Sequence, residues 1–154
     1  MKIIIKNHMR VADFVIKFLE DKGIKNVFTV SGGGSIFLCD ALYKSKKLNY
    51  VSCHHEQAVS FATESYSRVK NKPGAAIITT GPGGTNCTTG VACCWIDSVP
   101  SIFISGQVYL NQTIKNTGLR QLGVQEFDIV SMVKTSTKYS VIVQTPESIK
   151  YHLE

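Results

Sequence analysis

Two kinds of apolar pattern alternate along the chain. From Met9 onward, Val11, Phe14, Val15, Phe18 and Leu19 recur at helical spacing, and Gly23 follows where a helix end favours a left-handed residue. Residues 26–30 form a short β-rich run, broken by Gly32-Gly33-Gly34. Ser35 is the expected cap of a second helix over about 36–43. The unit then repeats. A strand is predicted over 50–53 and a helix over 55–69, with Ala58, Phe61, Ala62 and Tyr66 on its packed face. Residues 75–79 are apolar on both faces and predict a buried strand. Gly81-Pro82-Gly83-Gly84 reads as a tight loop, 86–96 as a helix of small residues, and 101–105 as another buried strand. A long connection over 106–124 leads to a short helix near Gln125 and a last strand over 139–143. Thr145 then reads as an N-cap, with Pro146 at the first helical position.

Strands alternating with helices imply parallel β-α units. The expected fold class is α/β, a three-layer α/β/α domain with a mostly parallel sheet. In such sheets ligands gather outside the C-terminal ends of the strands. Three segments fall there: 31–34, 54–57 and 80–86. The length of 154 residues suits one domain. Residues 1–8 read as a loose N-terminal extension and 9–154 as the domain proper. The chain stops barely two turns into its last predicted helix, so the expectation is a C-terminally incomplete fragment of a longer protein.

A 44% hydrophobic share and an 18% charged share suit a soluble globular domain rather than a disordered one. Apolar runs such as 99–104 are too short to cross a bilayer. The N-terminus lacks an apolar stretch of signal-peptide length, and a cytoplasmic location is expected. The net charge of +6 raises the question of a nucleic-acid partner, but the lysines are scattered. Only Lys44-Ser45-Lys46-Lys47 clusters, in a predicted loop, and it reads as a solvated turn. No pair among the five cysteines has the C-x-x-C spacing of a zinc or redox site, so reduced thiols are expected.

Three stretches could carry chemistry. Glu56, in His54-His55-Glu56-Gln57, sits where a strand gives way to a helix, and by position alone it would serve the helix dipole. The side chains of His54 and His55 diverge, which makes a poor metal site, and no metal ligands are assigned. Gly81-Pro82-Gly83-Gly84 precedes a helix, but lacks the lysine of a P-loop. The long connection carries Gln107, Arg120, Gln121 and Gln125, and long loops in compact domains are often functional.

Taken together, these segments resemble a known family. His55-Glu56-Gln57, Ala62-x-Glu64-x-Tyr66-x-Arg68, Gly81-Pro82-Gly83-Gly84-Thr85-Asn86, Asp97-Ser98-Val99-Pro100, Gly106-Gln107-Val108 and Gln125-Glu126 follow the order and spacing of the N-terminal pyrimidine-binding domain of acetolactate synthase-like thiamine-diphosphate enzymes. Gly118-Leu119-Arg120-Gln121-Leu122-Gly123 is most similar to the members found in surface-sugar biosynthesis clusters. The resemblance implies that Glu56 is the catalytic carboxylate, hydrogen-bonded to the cofactor's aminopyrimidine. It implies that Pro82 and Asn86 line the aminopyrimidine pocket and that Gln125 reaches the active site with Gln107 nearby. It further implies that Gly32 and Gly33 belong to a loop that admits cofactor or substrate. A dry site would raise the carboxyl's pKa and suit a shared proton. The cofactor would supply the electron sink for decarboxylating a 2-keto acid and joining the product to a second carbonyl. One departure stands out. Acetolactate synthases carry Tyr-Pro before the glycines, where this chain has Val30-Ser31, so the pocket differs and acetolactate is not implied as the product.

Enzymes of this family hold the diphosphate and Mg2+ on another domain marked by Gly-Asp-Gly, which is absent from this sequence. The resemblance therefore implies missing central and diphosphate-binding domains and a site completed by the diphosphate-binding domain of a second subunit. It implies a homodimer or homotetramer when complete, and an inactive isolated chain. FAD stays open, as does a separate pyrimidine subunit of a split 2-keto acid decarboxylase. A non-catalytic binding module would be expected to lose the glutamate, and Glu56 is present.

Overall fold

The computed structural model describes residues 9–115 and 117–154. The expected extension over 1–8 lies outside the described residues.

Helix α1 (Val11–Asp21) starts after an extended Arg10, whose guanidinium pairs with Asp13 in the first turn at 2.7 Å. Its buried face is Ala12, Val15, Ile16 and Leu19, rotated from the expected stripe, so that Val11, Phe14 and Phe18 are half-buried. Gly23 ends it at φ +74. Strand β1 (Asn26–Thr29), helix α2 (Ile36–Lys44) and strand β2 (Asn49–Ser52) follow. Then come α3 (Glu56–Lys70), β3 (Gly74–Ile78), α4 (Pro82–Asn86), α5 (Thr88–Ile96) and β4 (Ser101–Ser105). The described part of the chain closes with α6 (Ile129–Val133) and α7 (Ile149–Leu153).

The four strands form one sheet in the order β2-β1-β3-β4, and every pairing is parallel. Side chains of successive strand residues point to opposite faces, so each face builds its own core. On one face α1 and α2 pack Leu19, Ile16, Ala41 and Leu42 against Val27, Ala75 and Ile77. On the other, Val59 of α3, Val91 of α5 and Cys87 just before α5 pack against Ala76 and Ile78. The result is the expected three-layer α/β arrangement. Strand β3 is buried along its whole length because both neighbours and both helical layers cover it.

Several local expectations change. The buried face of α3 is Val59, Ser60, Thr63 and Ser67, whereas Ala58 and Phe61 are exposed. Small hydroxyl residues let α3 lie close to its neighbours, and each hydroxyl is satisfied locally. Ser60 donates to Gln57 O, Thr63 to Val59 O, and Ser67 to Pro100 O. An apolar-periodicity rule cannot see a face built this way. The loop expected at Gly81-Pro82-Gly83-Gly84 is already helix α4, with Pro82 at its first position. Ser35 does not cap α2 with its side chain; a 3-10 turn over Gly33–Ser35 precedes the helix, and the Ser35 hydroxyl donates to Gly32 O. Thr145 likewise offers no side-chain cap. Strand β4 is only half-buried, since among the described residues no strand pairs with its outer edge. The strand expected over 139–143 is not formed. The helix expected near Gln125 begins instead at Ile129, because Gln125 has φ +57, which no right-handed helix accommodates. Asp128 caps it, accepting from the Ser131 N–H at 3.0 Å. No described helix is long and apolar enough to cross a membrane.

Candidate functional site

The C-terminal ends of β1, β2 and β3 point to one rim of the sheet, and the site residues collect there. Beyond β2 the chain passes through His54 and His55 into α3. The His55 side chain is a helix cap, its Nδ1 accepting from the Gln57 N–H at 3.1 Å. Neither histidine joins a metal-binding cluster among the described residues.

Glu56 is the first residue of α3 and is half-buried. Asn86, the last residue of α4, donates its side-chain amide to Glu56 Oε2 at 2.9 Å. The next residue, Cys87, donates its thiol to the Glu56 backbone carbonyl at 3.2 Å. Burial pushes the Cys87 thiol up to about 12, and the nearby Glu56 charge pushes the same way. One short stretch therefore holds both the carboxyl group and the backbone of Glu56. Its Oε1 has no hydrogen-bond partner among the described residues. Gly83 faces it: a Cβ there would sit 3.4 Å from Glu56 Oε1 and 2.8 Å from Thr79 Cγ2.

Thr79 links this group to the first glycine loop. A Cβ on Gly32 would lie 2.5 Å from the Thr79 side chain, and the Gly34 N–H donates to Thr79 Oγ1 at 3.2 Å. Thr80 presses its hydroxyl to within 1.9 Å of where a Gly34 Cβ would stand. The Thr80 hydroxyl is buried with no hydrogen-bond partner. Gly33 has open space around it.

Pro82 and Gln125 meet in a second place. With Thr85, Gln121, Glu126 and Phe127 they line an open cavity of about 430 Å³. The approach is close, since a Cβ on Gly81, itself at φ +57, would fall 1.8 Å from the Gln125 carbonyl oxygen. Glu56 and Asn86 do not line that cavity. Gln107 joins neither group; its amide oxygen accepts from the N–H of Val108 at 2.9 Å. The adjoining Gly106 packs on the backbone of Gly34.

The structure thus brings Glu56 to Asn86, Pro82 to Gln125, and Gly32 to Thr79. It leaves Gln107 and Gly33 apart from these contacts. The dry crevice expected around the carboxyl is not closed by this chain: Pro82 and Gln125 are exposed and Glu56 is only half-covered. Thr79, Phe127 and Cys87 carry no site expectation from the sequence, whereas Thr80 and Gln121 lie in segments that do. Position at the end of a buried strand was the available signal for the threonines, and adjacency to Asn86 for Cys87.

Residues 9–132 match the family described as thiamine pyrophosphate enzyme, N-terminal TPP binding domain. The chain belongs to that family. Among its relatives, the chloroplastic acetolactate synthase of Arabidopsis thaliana is 37% identical over 146 residues, covering 93% of this chain and 20% of that protein. The acetolactate synthase isozyme 3 large subunit of Escherichia coli (strain K12) is 33% identical over 138 residues, covering 90% of this chain and 23% of that protein. A large subunit from Haemophilus influenzae is similar to the same degree, 33% over 138 residues. The chain spans about a fifth of the length of these relatives.

Other motif residues of the TPP-binding domain are scaffolding. Arg68 pairs with Glu64 one turn back on α3 and with Asp97 just past α5. Hydrogen bonds to both carboxylates hold the Arg68 guanidinium above its ordinary pKa. The Tyr66 ring meets Phe28 edge-on at 5.8 Å. The Pro100 carbonyl accepts from both Ser67 and the Gly74 N–H.

Proposed function

We propose that this domain holds the aminopyrimidine of thiamine diphosphate against Glu56, in an acetolactate synthase-like enzyme acting on 2-keto acids. The observation that carries the reading is the 2.9 Å bond from Asn86 to Glu56 Oε2, with Oε1 left without a hydrogen-bond partner among the described residues. A carboxyl group held by one oxygen and free at the other can share a proton with a ring nitrogen placed beside it. Gly83, having no side chain, lets Glu56 and Thr79 pack close to the α4 backbone, and Pro82 beside it is exposed and offers a rigid, donor-free wall. These residues fit a heterocycle with a basic ring nitrogen. When bound, thiamine diphosphate supplies the carbon nucleophile and the electron sink for decarboxylation and carbon–carbon bond formation.

The chain's own residues orient and protonate. Asn86 and Cys87 fix the rotamer and backbone of Glu56, which reduces the reorganisation needed when a proton moves at Oε1. Gln125 and Gln121 present amides at the rim, suited to a carbonyl substrate. The diphosphate and Mg2+ fall to residues outside this chain, in the diphosphate-binding domain of a second subunit. That subunit would also cover the open side of Glu56 and dry it.

The complete gene product, supplied with thiamine diphosphate and magnesium, is the material for the test. It should release carbon dioxide from at least one member of a panel of 2-keto acids. Cofactor-dependent turnover of none of them contradicts the reading.

A further inference from the structure

Among the described residues, the long connection between β4 and α6 has no strand or α-helix to hold it, yet it delivers Gln125 to the cavity wall. Its backbone donors need partners, and one side chain gathers them. Glu126 Oε1 accepts from the Ile114 N–H at 2.6 Å. Glu126 Oε2 accepts from the N–H groups of Leu122 and Gly123, each at 3.4 Å. The Glu126 N–H closes back on Gly123 O at 3.3 Å, and the Gln121 amide donates to the same oxygen at 3.0 Å. Two turns of the same loop, at Ile114 and at Leu122-Gly123, are therefore tied to a single carboxylate.

The residue just before it is held in an unfavourable conformation. Gln125 is at φ +57, a region that non-glycine residues seldom enter. Its carbonyl lies where a side chain on Gly81 would have to go. A residue stays in such a conformation only when its surroundings over-determine it. On one side the constraint is the bare Gly81; on the other it is the Glu126 clamp.

We propose that Glu126 is a positioning residue: by collecting the N–H groups of Ile114, Leu122 and Gly123 it sets the Gln125 amide and the mouth of the Pro82 cavity. Hydrogen bonds to an ionised carboxylate are stronger than neutral ones, so the clamp depends on charge as well as shape. The kinetic part of its test rests on the function proposed above; the structural part does not.

The test compares Glu126→Ala and Glu126→Gln with wild type in the complete enzyme. Hydrogen exchange is followed by mass spectrometry on peptides spanning 108–127. In Glu126→Ala these amides should exchange about tenfold faster, while peptides from β3 are unchanged. KM for the accepted 2-keto acid should rise about tenfold with kcat altered far less. Glu126→Gln keeps one oxygen for Ile114 but turns an NH2 toward the other donors, so it should rescue part of both effects. Unchanged exchange overturns the clamp. Faster exchange with unchanged KM overturns its positioning role. If wild type turns over no 2-keto acid, the functional reading fails by itself, and the exchange experiment still decides for or against the clamp.

Discussion

At the scale of single residues, the site rests on short polar ties. Glu56 is held at its carboxyl group by Asn86 and at its backbone by Cys87. The thiol is one such tie, and its chemistry yields a prediction. With its pKa pushed up to about 12 by burial, Cys87 stays protonated in the folded protein across the range where a free thiol ionises. Iodoacetamide at pH 8 should therefore label Cys87 far more slowly in the native protein than after unfolding, as read by peptide mass spectrometry. Equal rates would contradict the buried placement. The sign of the linkage follows. A raised pKa leaves stability intact below the ordinary value of 9.0 and erodes it as pH climbs from there toward about 12, because only the unfolded chain releases the proton. Glu56, Pro82 and Asn86 stand out in the sequence because they lie inside spaced motifs. The roles of Thr79, Cys87 and Glu126 do not, because each depends on which backbone atom lies across from it in space.

At the scale of elements, α3 and α5 pack closely. Helices α3 and α5 touch through Ser60 and Gly90: a Cβ on Gly90 would lie 2.2 Å from Ser60 Oγ and 2.9 Å from the Ser60 backbone carbon. Two effects oppose each other in Gly90→Ala. Helix propensity favours alanine by about 1 kcal/mol. Overpacking against a backbone that cannot rotate away costs about 1–3 kcal/mol. The contact is tight enough that packing should win, and denaturant unfolding should show a net loss of about 1 kcal/mol or more. A gain in stability would mean that the two helices are free to separate. The same closeness explains what was readable. Strands β1 and β3 and helix α1 follow apolar patterns and were placed within a residue or two. The α3 face was misplaced because its packing uses serine and threonine. The segment over 139–143 reads as a strand by composition, but no neighbouring strand meets it among the described residues. Composition alone therefore could not make it one.

At the scale of the whole molecule, the proposed function has this chain build one side of a site. The sheet rim gathers Glu56, Asn86 and the glycine loops, and the surface beyond Pro82 and Gln125 is open. On the proposed function, the isolated 154-residue chain should show no decarboxylation of 2-keto acids with thiamine diphosphate and magnesium supplied. Detectable cofactor-dependent turnover by the pure chain would contradict the division of labour proposed between two domains. Exposed Trp95 and Ile96 lie on α5 and exposed Phe61 on α3.

The most direct measurement is cofactor-dependent turnover of Glu56→Gln in the complete enzyme, beside a thermal melt. The amide keeps the shape and can still bond Asn86, but it cannot share a proton at Oε1. The account predicts a fall in kcat of at least about a hundredfold with the melting temperature nearly unchanged. Turnover equal to wild type would reduce Glu56 to a helix-terminal charge and contradict the account.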